Sequence, residues 1–231
     1  VSAPARLSGA PPSGTRVPDL VRAAAGAHEP EPVWLNELGG LTYRAGDRYL
    51  KWSPAGGPDL ENERARLAWA APYHPVPEVL DILRDDGAQL LVTLALPGEN
   101  AVRTEPRLAA RAVGEGLRAL HDGLPVEKCP FTWSVEDRGG TVPPPIDRLV
   151  VAHGDACVPN TLVDADGRWT AHVDLGRLGI ADRWADLAVA SWSLGWNFGP
   201  GWEDEFFAAY GIARDEERIR YYRDLWDADE D

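Results

Sequence analysis

The amino-acid sequence predicts an α+β chain in which strands come first and helices follow. Up to about Thr93, short β-branched and aromatic runs alternate with Gly-containing turns around a single helical stretch. Beyond that point apolar residues recur at three- and four-residue spacing, the mark of helices with one buried face. At 231 residues and 44% hydrophobic content the chain can bury a sizeable core, as one large domain or as two lobes around a cleft.

The residues from Val1 to Gly14 are rich in Pro, Ser, Gly and Ala and contain no apolar run of the signal-peptide kind. Residues 1–25 are therefore expected to form a flexible leader. Glu31 to Glu37, Leu41 to Arg44 and Asp47 to Trp52 read as three strands, with turns at Gly39-Gly40 and Ala45-Gly46. Pro58 and Asp59 open a helix in which Leu60, Glu63, Leu67 and Ala71 fall at helical spacing; Asp59 is placed to cap it, and Pro75 and Pro77 end it. Val79 to Leu83 and Gln89 to Leu96 flank Asp85-Asp86-Gly87 as a further hairpin. Later helices are marked by Leu108, Ala112, Gly116, Leu117 and Leu120, by Leu187, Ala190, Ser191 and Leu194, and by Ile219, Tyr222 and Trp226. The expected division is a sheet lobe over 26–93, a hinge over 94–98 and a helical lobe over 99–231. No internal repeat is present.

No stretch approaches the roughly twenty consecutive apolar residues that span a membrane. A net charge of -14, from 37 acidic and 23 basic side chains, argues against nucleic acid or an anionic membrane as partner and suits a cationic ligand. Acids crowd the C-terminus, at Glu203 to Glu205, Asp215 to Glu217 and Asp224 to Asp231, although a solvated helix face is the plainer reading of such runs. Cys129 and Cys157 have no metal-binding spacing and fit a reduced, cytoplasmic protein. Lys51 and Lys128 are the only two lysines, so a lysine inside the apolar run around Lys51 is conspicuous. The lack of any Met, even at position 1, leads us to expect that the sequence is not the whole gene product.

Between Val150 and Gly176 the residues of a phosphoryl-transfer site occur in order. His153-Gly154-Asp155-Ala156-Cys157-Val158-Pro159-Asn160 is followed, after thirteen residues, by Asp174-Leu175-Gly176. Chemistry of the protein-kinase type needs an Asp beside the attacking hydroxyl, an Asn on the same loop to hold a metal, and a second metal-binding Asp after the next hairpin. Thr161 to Val163 and Ala171 to Val173, around the turn Asp164 to Gly167, read as that hairpin and return Asp174 to Asn160. Two oxygen ligands, completed by nucleotide phosphates, suit Mg²⁺. Taken singly, each of these residues is ordinary turn chemistry. Their compound spacing points to a metal-assisted phosphotransferase. His153 is read as ordering the loop, because a loose transition state needs positioning more than a second base. Asp182 is read as a helix N-cap, and Asp186 as reaching back to the loop amides.

Upstream, Lys51 precedes a helix carrying Glu61 and Glu63. Two positions along a helix turn through about 200°, so only one acid can face the sheet. Glu63 is taken as the partner of a phosphate-holding Lys51. The plainer alternative is a lysine snorkelling from the sheet edge beside two solvated glutamates. Gly39 and Gly40 would let the backbone approach a phosphate closely, although they form no Gly-x-Gly-x-x-Gly fingerprint and no Walker A sequence occurs.

These residues resemble those of the aminoglycoside phosphotransferases, most closely the 3'-phosphotransferase group. The likeness is dense from Val150 to Ala190, continues at Tyr210-Gly211 and Tyr221-Tyr222, and is looser from Arg48 to His121. It implies a bilobal protein-kinase-like fold, with a small antiparallel β-sheet N-lobe carrying one helix and a mainly helical C-lobe, and with ATP or GTP and Mg²⁺ in the cleft. Asp155 would match the catalytic Asp, Asn160 and Asp174 the metal ligands, and Lys51 with Glu63 the phosphate-holding pair. The backbone at Thr93 to Ala95 would meet adenine, and Asp227 and Glu230 would meet the ammonium groups of the antibiotic. Phe131 to Ile146 is shorter than the family's drug-binding helical segment, and Trp226 to Asp231 replaces its usual aromatic ending.

The function expected from the resemblance is transfer of a γ-phosphate to an aminoglycoside hydroxyl, with the 3'-OH favoured, by a cytoplasmic monomer conferring resistance. The alternatives are a kinase of another small alcohol or amine (a 3''-type aminoglycoside, a macrolide or a choline-like compound) and a non-catalytic binder of a cationic ligand. The intact set Lys51, Asp155, Asn160 and Asp174 argues against the binder.

Overall fold

A computed structural model describes residues 9–36, 38–138, 140 and 142–228. The chain divides into two compact units, one holding residues up to Trp69 with Pro77–Leu96, the other Ala70–Val76 with residues from Pro97 onward.

The first unit contains α1 (Asp19–Ala25), β1 (Glu31–Leu35), β2 (Leu41–Ala45), β3 (Arg48–Ser53), α2 (Leu60–Ala70), β4 (Val79–Asp85) and β5 (Ala88–Leu94). Its five strands form an antiparallel sheet in the order β1-β2-β3-β5-β4. Tyr43, Leu50, Leu90 and Val92 bury one face of this sheet against Val17, Val21 and Ala25. Each large side chain so buried stabilises the unit by about 1.5–3 kcal/mol. At the start of α2 the Asp59 carboxylate accepts from the Glu61 amide at 3.0 Å, and Gln89 Oε1 accepts from the Leu60 amide at 2.9 Å, which ties the helix to β5.

The expectation of a flexible leader fails over residues 17–25. Val17, Val21 and Ala25 lie four residues apart, Val17 just before α1 and the other two on one face of it, and all three are buried against the sheet. Pro18 starts that helix in an extended conformation, and the Ala-rich run hides its apolar stripe from a reading by composition. Gly9 also exchanges two backbone hydrogen bonds with Leu35, at 2.9 and 2.8 Å.

The second unit contains β6 (Glu99–Asn100), α3 (Pro106–Gly123), β7 (Leu149–Ala152), β8 (Thr161–Val163), β9 (Trp169–His172), β10 (Gly179–Asp182), α4 (Trp184–Phe198), α5 (Glu203–Tyr210) and α6 (Glu216–Ala228). Its core joins Ala109, Val113 and Leu117 of α3 to Leu187 and Leu194 of α4, Phe206 and Tyr210 of α5, and Ile219, Tyr222 and Leu225 of α6. Two small sheets, β6-β8-β9 and β10-β7, carry the loops described below. Among the described residues no helix is long and apolar enough to cross a membrane.

The segment Ala70–Val76 delivers His74 to the β8–β9 hairpin. His74 Nε2 lies 2.8 Å from His172 Nδ1, the rings stack at 5.1 Å, and Trp169 covers His74 at 5.3 Å. Burial disfavours the charged form of both rings and the nearby imidazole of His153 adds to the effect, so His74 is pushed down to about 4 and His172 well below its ordinary value. An unfolded chain protonates these groups near pH 6.5. Between that value and the native one the unfolded state therefore binds more protons, and stability present above pH 6.5 is lost as the pH falls. Urea unfolding should show His74 contributing a loss of about 2 kcal/mol on going from pH 7.5 to 5. His74→Gln should flatten that slope; a wild-type profile flat over this range would contradict a buried neutral pair.

Candidate active site

The loop after β7 and the loop after β9 are brought together by strand pairing. β7 pairs with β10, Gly179 opposite Ala152, and β8 pairs with β9, Thr161 opposite His172. Asp155 therefore follows the end of β7, Asn160 precedes the start of β8, and Asp174 follows the end of β9. The Val173 amide donates to the Asn160 carbonyl at 3.0 Å, which sets Asp174 beside Asn160. Asn160 Nδ2 donates to the Asp155 carbonyl at 2.9 Å, closing the loop on itself and turning the Asn160 carboxamide oxygen away from that bond.

Close approach of the two loops needs Gly154. It adopts φ 82°, and a Cβ there would overlap the Arg177 carbonyl. Asp174 itself sits at φ 61°, a left-handed conformation that costs a non-glycine residue about 1–3 kcal/mol and is tolerated best by Asn and Asp. The Cys157 thiol is pushed up by burial and by the carboxylates of Asp155 and Asp174, so both acids act on one neighbour and the sulfur stays protonated.

Side chains from four elements hold this loop. The buried Asp186 carboxylate of α4 accepts from the His153 amide at 2.6 Å and the Gly154 amide at 2.9 Å. It also accepts from His121 Nε2 of α3 at 2.9 Å, and His121 Nδ1 meets the Tyr210 hydroxyl of α5 at 2.8 Å. Burial opposes charge on Asp186, but the His121 hydrogen bond, the two histidines and the Gly154 amide together keep its carboxyl below the usual range. Ser193 Oγ accepts from the Val158 amide at 3.0 Å, and Asn100 Nδ2 donates to the Pro159 carbonyl at 2.7 Å. His153 spans both loops: its Nε2 donates to the Val173 carbonyl at 3.0 Å and its Nδ1 faces the Asp155 amide at 3.3 Å. Asp182 ends β10, one residue before the α4 N-cap Arg183; its carboxylate accepts from the Trp184 and Asp147 amides and pairs with Arg218. The N-cap assignment for Asp182 is thus displaced by one residue, because the strand runs on to that position.

In the first unit, Lys51 Nζ donates to Glu63 Oε2 at 2.6 Å, and Glu63 is 7% exposed. Glu61 points the other way and pairs with Arg64 and Arg84. Gly39 and Gly40 lie in the β1–β2 turn. Thr93 lies inside the sheet, opposite Tyr49 and Val79. The Leu94 and Ala95 amides are donated to the Glu78 and Asp47 carbonyls, at 2.9 and 2.8 Å. Those two N–H groups thus extend the hydrogen bonding of the sheet one residue past the end of β5.

Asp227 is exposed in the last turn of α6, and Glu230 lies outside the described residues. Next to Asp227, the Trp226 ring is met by the guanidinium groups of Arg177, at 5.5 Å, and Arg138, at 5.9 Å, which joins this helix end to the loop carrying Asp174. No role for His121, Tyr210, Ser193 or Asn100 follows from the sequence alone. His121 and Tyr210 stood within the matching motifs, whereas nothing local to Ser193 or Asn100 marks them.

Asp186→Ala should strand His121 and two buried loop amides and cost about 3–5 kcal/mol, read as a lowered urea midpoint. Tyr210→Phe removes one neutral hydrogen bond and should cost about 1 kcal/mol. An Asp186→Ala protein within about 1 kcal/mol of wild type would show that the carboxylate does not hold the loop.

Comparison with known proteins covers most of the chain. The profile of the phosphotransferase enzyme family (APH) matches residues 23–143 and 141–222. The chain is 35% identical to streptomycin 3''-kinase of Streptomyces griseus, over 84% of this chain and 89% of that protein. It is likewise 35% identical to the aminoglycoside 3'-phosphotransferase of Streptomyces fradiae, over 71% of this chain and 78% of that protein. Among solved structures, aminoglycoside phosphotransferase APH(3'')-Id of Streptomyces rimosus aligns with a TM-score of 0.75 at 32% identity, covering 91% of this chain and 96% of the other. Its complex with ADP and streptomycin aligns at 0.74 and 31% identity, with the same coverage. On the strength of a family match across most of its length and of this shared architecture, the chain belongs to the aminoglycoside phosphotransferase family and has its protein-kinase-like α+β fold.

Proposed function

We propose that this protein transfers the γ-phosphoryl group of ATP or GTP to a hydroxyl of an aminoglycoside, with Mg²⁺, as a cytoplasmic monomer whose activity confers resistance. The observation that carries the proposal is the gathering of Asp155, Asn160 and Asp174 by two loops that buried side chains hold in place. Asp155 orients the acceptor hydroxyl and accepts its proton. Lys51, held by Glu63, takes the nucleotide phosphates. The oxygen donors of Asn160 and Asp174 fit a Mg²⁺ ion, which prefers few protein ligands and completes its shell with phosphate and water. Once bound, the ion neutralises charge on the transferred group.

The favoured acceptor is the 3'-hydroxyl. A 3''-hydroxyl is the second reading, supported by the greater share of the chain that aligns with the streptomycin 3''-kinase, 84% against 71% for the 3'-phosphotransferase of Streptomyces fradiae. ADP release with streptomycin, kanamycin and neomycin, followed by NMR of the phosphorylated product, separates the two.

Asp155→Ala should lower kcat by about 10²- to 10⁴-fold while leaving the nucleotide KM nearly unchanged. Near-wild-type turnover by that variant would rule out the assignment. Lys51→Ala removes a charge-assisted contact to phosphate and should raise the nucleotide KM roughly ten- to hundredfold in the same assay. A KM for ATP that did not move would take Lys51 out of the site.

A further inference from the structure

In the turn between β1 and β2, three backbone amides all donate to one residue. The Leu38 amide donates to Asn36 Oδ1 at 3.0 Å, the Gly40 amide to the same oxygen at 2.6 Å, and the Gly39 amide to the Asn36 carbonyl at 3.2 Å. The Asn36 amide in turn donates to the Gly40 carbonyl at 2.9 Å. Gly39 supplies the left-handed conformation, φ 77°, that this curl requires. Gly40 supplies room, since a Cβ there would lie 2.6 Å from Asn36 Nδ2. The two glycines that appeared suited to a phosphate thus shape a concave pair of N–H groups, and the oxygen seated in it belongs to the protein.

Two convergent backbone N–H groups form the kind of concavity that binds a phosphate oxygen. We propose that Asn36 is an internal stand-in for a nucleotide phosphate: its carboxamide oxygen occupies the Leu38 and Gly40 amides and must withdraw for a phosphate oxygen to take them, so Asn36 sets the affinity for nucleotide. This rests on the phosphotransferase reading above. A phosphate oxygen carries charge and its hydrogen bonds are roughly twice as strong as those of a neutral amide oxygen, so the exchange runs in favour of the ligand. Leu38 also borders an open hollow of about 420 Å³ lined with Pro54, Ala55, Gly56, Gly57 and Pro58. The exchange breaks no covalent bond; it swaps one acceptor for another on the same two donors.

The test compares ATP, ADP and adenosine by calorimetry on the whole protein and on Asn36→Ala and Asn36→Asp, with thermal melts to check that each variant folds. Asn36→Ala leaves the two amides open and should bind ATP and ADP roughly three- to tenfold more tightly, with adenosine unchanged because it has no phosphate. Asn36→Asp keeps an oxygen on the amides and adds a negative charge, so it should weaken ATP while sparing adenosine. The inference is overturned if Asn36→Ala binds ATP no more tightly than wild type, or if adenosine tightens as much as ATP. If the wild-type protein binds neither ATP nor GTP, the phosphotransferase reading itself fails, and with it this one.

Discussion

Both oxygens of the Asp186 carboxylate are used on the segment that precedes Asp155. One accepts from the His153 amide and from His121, the other from the Gly154 amide. A buried carboxylate is costly unless donors surround it, and here those donors are the backbone of the loop and a histidine that Tyr210 in turn orients. The arrangement works in both directions. The loop amides, cut off from water, need an acceptor, and Asp186, cut off from water, needs donors. The backbone position of the residue proposed as the base therefore follows from the packing of α3, α4 and α5 around one charge.

The remaining site residues depend on this anchor through strand ends. β7 with β10, and β8 with β9, bring the two loops to one place, and Gly154 lets them meet without a side chain between. The left-handed backbone at Asp174 is a local cost that the flanking pairings and the His153 bridge offset. Residues carried at the ends of rigid elements are held more firmly than residues on long loops, which phosphoryl transfer favours because it relies on positioning and on charge already in place.

Charge has more than one use in this protein. The excess of acid suits a polycationic acceptor, yet much of the acidity near the C-terminus is paired internally. Glu203 meets Arg223 and Arg214, Arg214 also meets Asp204 and Glu216, and Asp215 meets Arg218. Partly exposed pairs of this kind contribute little individually, typically about 0–1 kcal/mol, but they join α5 to α6 and cover acids that a sequence shows as uncompensated. In the first unit the Lys51–Glu63 pair is more enclosed, and there the sheet and α2 hold a cation that Glu63 alone would not expose.

The sequence by itself determined the strands of the first sheet, α2, α3, α4 and α6, the β8–β9 hairpin, the partnership of Lys51 with Glu63 and the motif proposed for catalysis. Each of these rests on short-range regularities: alternation, turn residues, helical rotation and motif spacing. The helix over residues 19–25 escaped because composition masked a four-residue apolar spacing. β7 and β10 escaped because four-residue strands carry too little periodicity to register. Only the tertiary structure decided which buried groups hold the loop. The bonds from Asn100 to Pro159, from Ser193 to Val158, and from His121 and Tyr210 to Asp186 join residues far apart in sequence, and no local pattern encodes a contact that exists only once separate elements have packed. It also decided that Gly39 and Gly40 curl around Asn36, because a glycine pair is compatible with several turns and the hydrogen bonds of the folded strands select one.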